Sequence, residues 1–488
     1  MSRLLVGPFN RVEGDLDIAL EVENNRVTSA KVNSTLYRGF EQILIGKRAI
    51  DALVYTPRIC GICSISQSIA CARALADLSN ITITANGERS HNLLLANESL
   101  TDLLTHFYLF FMPDFARDIY REKSWYDATK KRFKAVEGEA TKTVLPARAK
   151  FLHVMGVMAG RWPHTLCIQP GGSSKAISRH ERLRLLATLA DFRSFLENTL
   201  FGDNLDNINA IQSISDFEHW LNQEDYTQSD LRWFMHLSRD LELSTFGCTD
   251  SKLLSYGNFT EDNASLIKRG IWTPANGLQN LPLDKITEDI SHSWMDGDAK
   301  KALHPTVGAT DVSLQSSEKP DAYSWCKAPR LDGDVFETGA LARAVISGNP
   351  LFNELIHSQG ANVNTRVIAR LLELAKIVPE MQRWATELDI TEPYCNNRPM
   401  LADGQGVGLT EAARGSLGHW IEVKDNHISR YQIIAPTTWN FSPRDINNKP
   451  GALEKSLEGA PVQNGEKDPV SVQHIVRSFD PCMVCTVH

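Results

Sequence analysis

Two pairs of cysteines stand near opposite ends of the chain, Cys60-Gly61-Ile62-Cys63 and Cys482-Met483-Val484-Cys485, the second followed by His488. A C-x-x-C spacing lets both thiols reach one ion, and four thiolates together form a site for a soft metal. Taken alone, such a pair has other readings: two buried structural cysteines, a redox couple, or half of a structural zinc site. Zinc fingers and ribbons keep their pairs close in sequence, because a short loop closes cheaply around the ion. Here nearly the whole chain lies between the pairs. If the four sulfurs meet, the chain folds around them, which suits a buried cofactor better than a local staple.

Charged residues accompany the thiols: Arg58 precedes the first pair and Asp480 the second. Elsewhere, Glu13 in Asn10-Arg11-Val12-Glu13-Gly14 reads by itself as a solvated turn carboxylate, and Glu41 after Tyr37-Arg38-Gly39-Phe40 as an ordinary acid. Asp102 and His106 lie four apart and share one helical face, where each is commonly a satisfied structural group. Arg414 follows the glycine-rich run Asp403 to Gly408. That spacing is not a dinucleotide fingerprint and no clear buried strand precedes it, so the run reads as a flexible connection that delivers a fixed positive charge.

These groups need elements to hold them. Alternation over Leu16–Val22 and Val27–Val32 about Asn24-Asn25 predicts a hairpin, and Trp420–Val423 with Ile428–Ile434 about Asp425-Asn426 a second. Apolar residues at helical spacing predict a buried helix opening at Cys63. Others are expected over 88–112, stopped before Pro113, over 145–160, over 178–201 with Ser178 as N-cap, and over 339–346. A helix over 363–378 is expected to end or kink at Pro379, and a last one over 470–479 to aim the second cysteine pair inward. Residues 145–201 are interrupted by a tight Pro- and Gly-marked loop, Trp162-Pro163-His164 to Ser173, in which His164 is at most an outer group. Residues 214–332, with connections such as Ser317-Glu318-Lys319-Pro320-Asp321, read as surface elaborations.

Composition sets limits. A chain of 488 residues with net charge -8 and interspersed signs has no concentrated basic face for nucleic acid or anionic lipid. No apolar run is long enough to span a bilayer, and the amino terminus lacks the apolar core of a signal peptide, so a cytoplasmic location is expected unless a partner carries an export signal. Nine cysteines, an odd number at scattered spacing, do not form a disulfide framework. Cys71, Cys167, Cys248, Cys326 and Cys395 read as ordinary buried thiols.

Arg58-x-Cys60-Gly61-Ile62-Cys63 together with Ser478-Phe479-Asp480-Pro481-Cys482-x-x-Cys485-x-x-His488 resembles the large subunit of a nickel-iron hydrogenase, over the whole chain. Arg11-Val12-Glu13-Gly14, Asp102-x-x-x-His106-Phe107-Tyr108, Glu411-x-x-Arg414-Gly415 and Ala435-Pro436-Thr437 are similar to further landmarks of that family. The resemblance implies that Cys60 and Cys482 are terminal nickel ligands, and that Cys63 and Cys485 bridge to an iron carrying carbon monoxide and cyanide, which Pro436 and Thr437 contact. It implies that Glu13 accepts the proton released when H2 is split, and that Arg414, held by Asp102 and Asp480, stands over the open metal position. Glu41, the backbone carbonyl of Phe441, and His488 are the implied ligands of a magnesium ion. Electrons need an iron-sulfur small subunit, because this chain has no further cysteine cluster.

Within that family, Ile62 and Phe110, at positions that line the gas tunnel, and Gln67 in place of a common His resemble the regulatory, hydrogen-sensing branch. That branch implies slow turnover, oxygen tolerance and signalling through a histidine kinase. The end of the sequence at His488, without a cleavable tail, is a trait of the same branch. The alternative is a respiratory uptake hydrogenase, with Ile62 and Phe110 as simple packing variation. The implied fold is mainly α (α+β): a single domain over 1–488, with a central bundle of long helices, peripheral β-hairpins, and an active site built from residues 1–115 and 400–488.

Overall fold

In the computed structural model the first hairpin forms where alternation places it: β2 (Leu16–Glu23) and β3 (Arg26–Ser34) pair antiparallel about Asn24 and Asn25, both at positive φ. A strand not anticipated from the sequence, β1 (Ser2–Val6), joins the outer edge of β2. The structure describes residues 2–250, 252–261, 264–298, 300–312, 319–463 and 465–488.

Helix α1 (Ser64–Ser79) starts at the residue after Cys63 and is buried along most of its length. Its first amides are met by the buried carboxylate of Glu98, which accepts from Ile65 N at 2.7 Å and Ser66 N at 2.8 Å and so caps the helix from a neighbour. Glu98 belongs to α2 (Ala85–Thr105), which Thr84 caps through Gly87 N and which is buried on nearly every side. A plain helix as far as residue 112, expected from the spacing, does not form. Over His106–Phe111 the chain widens into a π-helical turn, and Pro113 sits inside a 3-10 turn, Met112–Ala116. The wider turn seats Phe107 and Phe111 edge-on against Phe234.

The helix expected after Ser178 forms as α3 (Arg179–Phe195), with a reciprocal Ser178–Glu181 cap. Residues 214–332, expected as surface elaborations, contribute to the interior instead. The helix Asp230–Asp240 is largely buried, and β4 (Lys252–Glu261) and β5 (Ala264–Thr273) form the middle of a four-stranded sheet. Seven of the ten residues of β4 are buried on both faces, so it lacks the alternation that betrays a half-covered strand. Ser317 and Glu318 of the connection singled out above lie outside the described residues.

The longest helix, α4 (Val363–Glu387), does not end at Pro379 but continues past it. Pro379 has no N–H for the Ala375 carbonyl, and Asn209 supplies the missing donor, Nδ2 to Ala375 O at 2.9 Å. This helix packs on α2, on α3 and on the helix Ala340–Ile346.

The glycine run is a strand, not a flexible connection. β6 (Gly404–Ala412) pairs with β7 (Gly415–Lys424), which pairs with β8 (His427–Ile434) across the expected turn at Asp425 and Asn426. The glycines let β6 lie backbone-to-backbone on α1: a Cβ at Gly408 would stand 1.8 Å from Ala70 O, and one at Gly406 2.1 Å from Ala74 O. This sheet is interior, since β7 is buried over its first seven residues, and the hairpin is therefore not peripheral. After β8 come α5 (Pro436–Asn440), α6 (Val470–Ser478) and α7 (Met483–Thr486), the last begun by Cys482. The largest apolar cluster draws on residues from Val6 to Cys485, and the chain is a mixture of helix and sheet with the helices forming its body.

Candidate metal centre

The turn before α1 and the start of α7 bring the two cysteine pairs together. Cys60 Sγ lies 3.6 Å from Cys482 Sγ, and Cys485 Sγ lies 3.0 Å from both Cys63 Sγ and Cys482 Sγ. All four sulfurs fall within 4.8 Å of one another, all are buried, and none is in a disulfide. Hydrogen bonds from Cys482, Cys485 and Cys63 hold the Cys60 thiol well below its ordinary value. Its neighbours shift the other way: hydrogen bonding to Cys482 pushes Cys63 up, and burial pushes up Cys482 and Cys485. Four dry thiols surrender their protons together only to a cation, and the donor set is that of a soft metal. The residues present fit a thiolate-held metal centre.

Beside the sulfurs, Arg414 is fully engaged. Its Nη1 donates to Asp102 Oδ2, its Nη2 to Asp102 Oδ1 and Asp480 Oδ1 at 3.2 Å each, and its Nε to the Asp480 carbonyl at 2.9 Å. All three side chains are buried. Burial pushes Asp102 up to about 7 against the pull of Arg414, while Asp102 and Asp480 hold the guanidinium above its ordinary value despite burial. The charge at this position is fixed.

Glu13 reaches the second cysteine pair through its backbone. Its carbonyl accepts from Met483 N at 2.7 Å, and it pairs as an isolated parallel bridge with Cys482. Burial raises its carboxyl, and the Cys60 thiolate adds to this, against Arg414 and Arg38. A half-buried acid whose proton affinity is raised beside a thiolate is suited to take and release a proton.

Behind Cys485, His488 turns back on the chain: Nδ1 lies 3.0 Å from Cys485 O and Nε2 3.3 Å from Glu41 Oε1. Glu41 also accepts from Ile433 N at 2.7 Å and pairs with Lys327 Nζ at 3.3 Å, and Thr310 Oγ1 donates to it. Burial opposes its charge, yet Lys327 and His488 hold it down at about 2. The backbone expected here is that of Phe441, which is not among the residues lining the gap. The gap between Glu41 and His488 is edged by Ile433, whereas Phe441 ends α5, with its N–H on Thr437 O and its ring against Phe479. Lys327 also pairs with Glu288 at 3.3 Å. Lys327, Glu288 and Thr310 come from the stretch dismissed as surface, and nothing local in the sequence marks them.

Thr437 lies under the second pair, its Oγ1 accepting from Cys482 N at 3.2 Å, and Pro436 begins the same short helix. Gln67 does meet this region, through His419: Gln67 Oε1 lies 2.8 Å from His419 Nε2, and Tyr431 OH 2.8 Å from Nδ1. Ile62 and Phe110 are both half-exposed, Ile62 between the cysteines and Phe110 on the π-helical turn. His164 Nδ1 lies 2.9 Å from Pro57 O and so steadies the approach to Cys60. Of the thiols read as ordinary, Cys71, Cys167 and Cys326 are buried, but Cys248 is exposed and Cys395 half-buried, because both sit in loops.

The sequence family described as nickel-dependent hydrogenase matches residues 38–138 and 143–488. The chain belongs to this family, as its large subunit. The hydrogenase is 27% identical to the periplasmic [NiFeSe] hydrogenase large subunit of Desulfomicrobium baculatum, over 100% of this chain and 95% of that one. It is 28% identical to the hydrogenase-2 large chain of Escherichia coli K12, over 100% and 97%, and 27% to the uptake hydrogenase large subunit of Rhizobium leguminosarum bv. viciae, over 100% and 95%. The solved H2-activated [NiFeSe]-hydrogenase of Dm. baculatum superposes with a TM-score of 0.84 at 26% identity, each chain covered completely. These relatives are of [NiFeSe], hydrogenase-2 and uptake types rather than regulatory ones; membership implies a nickel-iron centre, and the structure holds a four-cysteine cluster. Among the described residues no helix is long and apolar enough to cross a membrane.

Proposed function

We propose that this hydrogenase splits H2 heterolytically beside the four-cysteine cluster and passes the electrons to an iron-sulfur small subunit. The observation that carries the reading is the buried Arg414, pinned by Asp102 and Asp480 next to four convergent thiols. Cys60, Cys63, Cys482 and Cys485 would hold a nickel-iron pair, its iron carrying carbon monoxide and cyanide, which would supply the Lewis-acid and redox chemistry that an apolar substrate requires. Arg414 places a fixed positive charge where charge separates as H–H breaks, at no cost of reorganisation. Glu13 receives the proton and hands it outward. Thr437 uses its oxygen as an acceptor for Cys482 N, which would leave its hydroxyl proton free to donate to a diatomic ligand of the iron, with Pro436 beside it in the chain. Glu41 and His488 offer a carboxylate and an imidazole to magnesium, and Ile433 the adjoining backbone.

The named relatives favour an uptake role, in which H2 is oxidised for energy metabolism, and their periplasmic member leaves the cytoplasmic expectation without support. A second reading, hydrogen sensing through a histidine kinase, rests on Ile62, Phe110 and the Gln67–His419 contact. The experiment is H2 oxidation per nickel by the large subunit purified with its small subunit, before and after exposure to air. Fast turnover lost in air supports uptake. Slow turnover that survives oxygen supports sensing, and zinc in place of nickel would sink both.

A further inference from the structure

Glu13 works only if its carboxyl is held at a fixed separation from the cysteines; its carbonyl bond to Met483 N fixes the backbone at one point, and the turn before it needs a second restraint. The restraint comes from a buried ion cluster one layer out. Asp114, in the 3-10 turn after the widened end of α2, is fully buried. Its Oδ1 accepts from Arg11 Nη2 at 2.5 Å and its Oδ2 from Arg477 Nη1 at 2.6 Å. Arg477 then reaches the segment of Glu13 directly, its Nη2 donating to Asn10 O and to Asn10 Oδ1, each at 2.8 Å. Aromatic groups wall the cluster, with His474 stacked on Phe115 and bonded to Tyr120 OH at 2.7 Å.

The anchoring points flank both partners of the proton step. Arg11 stands two residues before Glu13, and Arg477 lies in the last turn of α6, shortly before Asp480 and Cys482. Arg11 is itself at φ 53°, a left-handed conformation that disfavours a non-glycine residue, so the turn needs such a hold. Past it, Gly14 at φ 83° lets the chain lie on Met483, which a Cβ would approach to 3.1 Å. Without Asp114, two guanidinium groups would face each other in a dry site, and the segment 10–14 would part from 477–484.

We infer that Asp114 is a positioning residue for the proton step: by pairing with Arg11 and Arg477 at once, it fixes the register of the Glu13 segment against Cys482. The inference rests on Glu13 as the proton acceptor. Arg11 is partly exposed, unlike Asp114, so it carries the test alongside Asp114.

Arg11→Gln, Arg11→Lys, Asp114→Asn and Glu13→Gln are made in the complex with the small subunit. Each is assayed for nickel content, the infrared spectrum of the metal site, exchange of D2 with water protons per nickel, and amide hydrogen exchange over 10–14. Arg11→Gln is expected to slow D2 exchange on the order of 10-fold or more, as misplacement of a reacting group does, and to speed amide exchange over 10–14. Nickel content and spectrum stay unchanged, and Arg11→Lys restores most of the rate. If Arg11→Gln and Asp114→Asn leave D2 exchange per nickel intact while Glu13→Gln abolishes it, the positioning role is overturned and Glu13 keeps its own. If Glu13→Gln also leaves exchange intact, the Glu13 reading falls and takes this one with it. Loss of nickel in step with activity in Arg11→Gln would make the cluster a folding device only, and would likewise overturn the proposal.

Discussion

Arg414 directs four donated contacts to two aspartates, and this geometry, more than its charge, is what a lysine cannot copy. Arg414→Lys keeps the positive charge but cannot span Asp102 and Asp480 together. H2 oxidation per nickel is expected to fall on the order of 100-fold, the scale seen when one preorganised electrostatic donor is removed, with nickel retained. Activity within a few-fold of the parent would mean that charge alone suffices. The residues that the sequence exposes at this scale are those with a local spacing rule, the four cysteines above all. Glu98, Lys327, Glu288 and Thr310 carry no such rule, because each meets its partner only after distant segments have packed. The expectation for Phe441 meets the same limit: a backbone carbonyl has no residue type to give it away, and only the packed chain places Ile433 at the gap.

At the scale of elements, the contact of β6 on α1 decides where Arg414 is delivered. Gly408→Ala would drive a Cβ to 1.8 Å from Ala70 O, and neither backbone can give way cheaply. The expected cost is about 3 kcal/mol, read as a lowered Tm, together with loss of nickel as the strand lifts from the cysteine helix. A second element depends on Glu98, whose oxygens accept from Ile65 N, Ser66 N and Ser66 Oγ, with Trp162 Nε1 adding a fourth bond at 3.1 Å. Glu98→Gln turns an NH2 toward these donors and should cost about 1–3 kcal/mol. Thermal melting of the purified complex checks both, and a neutral Gly408→Ala would mean that β6 is free to shift. Periodicity reveals helices well, which is why α1, α3 and α6 stand where their spacing predicts. It fails for β4, covered on both faces, for β6, whose glycines imitate a loop, and for α4, where Asn209 from another segment repairs the break at Pro379.

Across the whole molecule, ends far apart in sequence are tied by buried groups. Glu454 accepts from Val32 N at 2.9 Å and Tyr323 OH at 2.7 Å, joining three distant segments, and burial pushes its carboxyl up to about 7 from 4.5. The folded state thus binds this proton more tightly than the unfolded chain. Its contribution is full below pH 4.5 and is lost as the pH rises toward 7. The stability of the parent relative to Glu454→Gln should therefore fall from pH 5 to pH 8, and a constant difference would show that Glu454 does not titrate there. The four cysteines form the larger tie, because Cys60 and Cys482 belong to opposite ends of the chain and a metal held by both adds its binding energy to the folded state alone. The metal-loaded complex should melt higher than metal-free protein. The rise should be accompanied by slower amide exchange at both 58–66 and 478–488, since the ion restrains the two segments as one. Protection confined to one end would mean that the metal is held by a single cysteine pair, and the central, chain-spanning site would be lost with it.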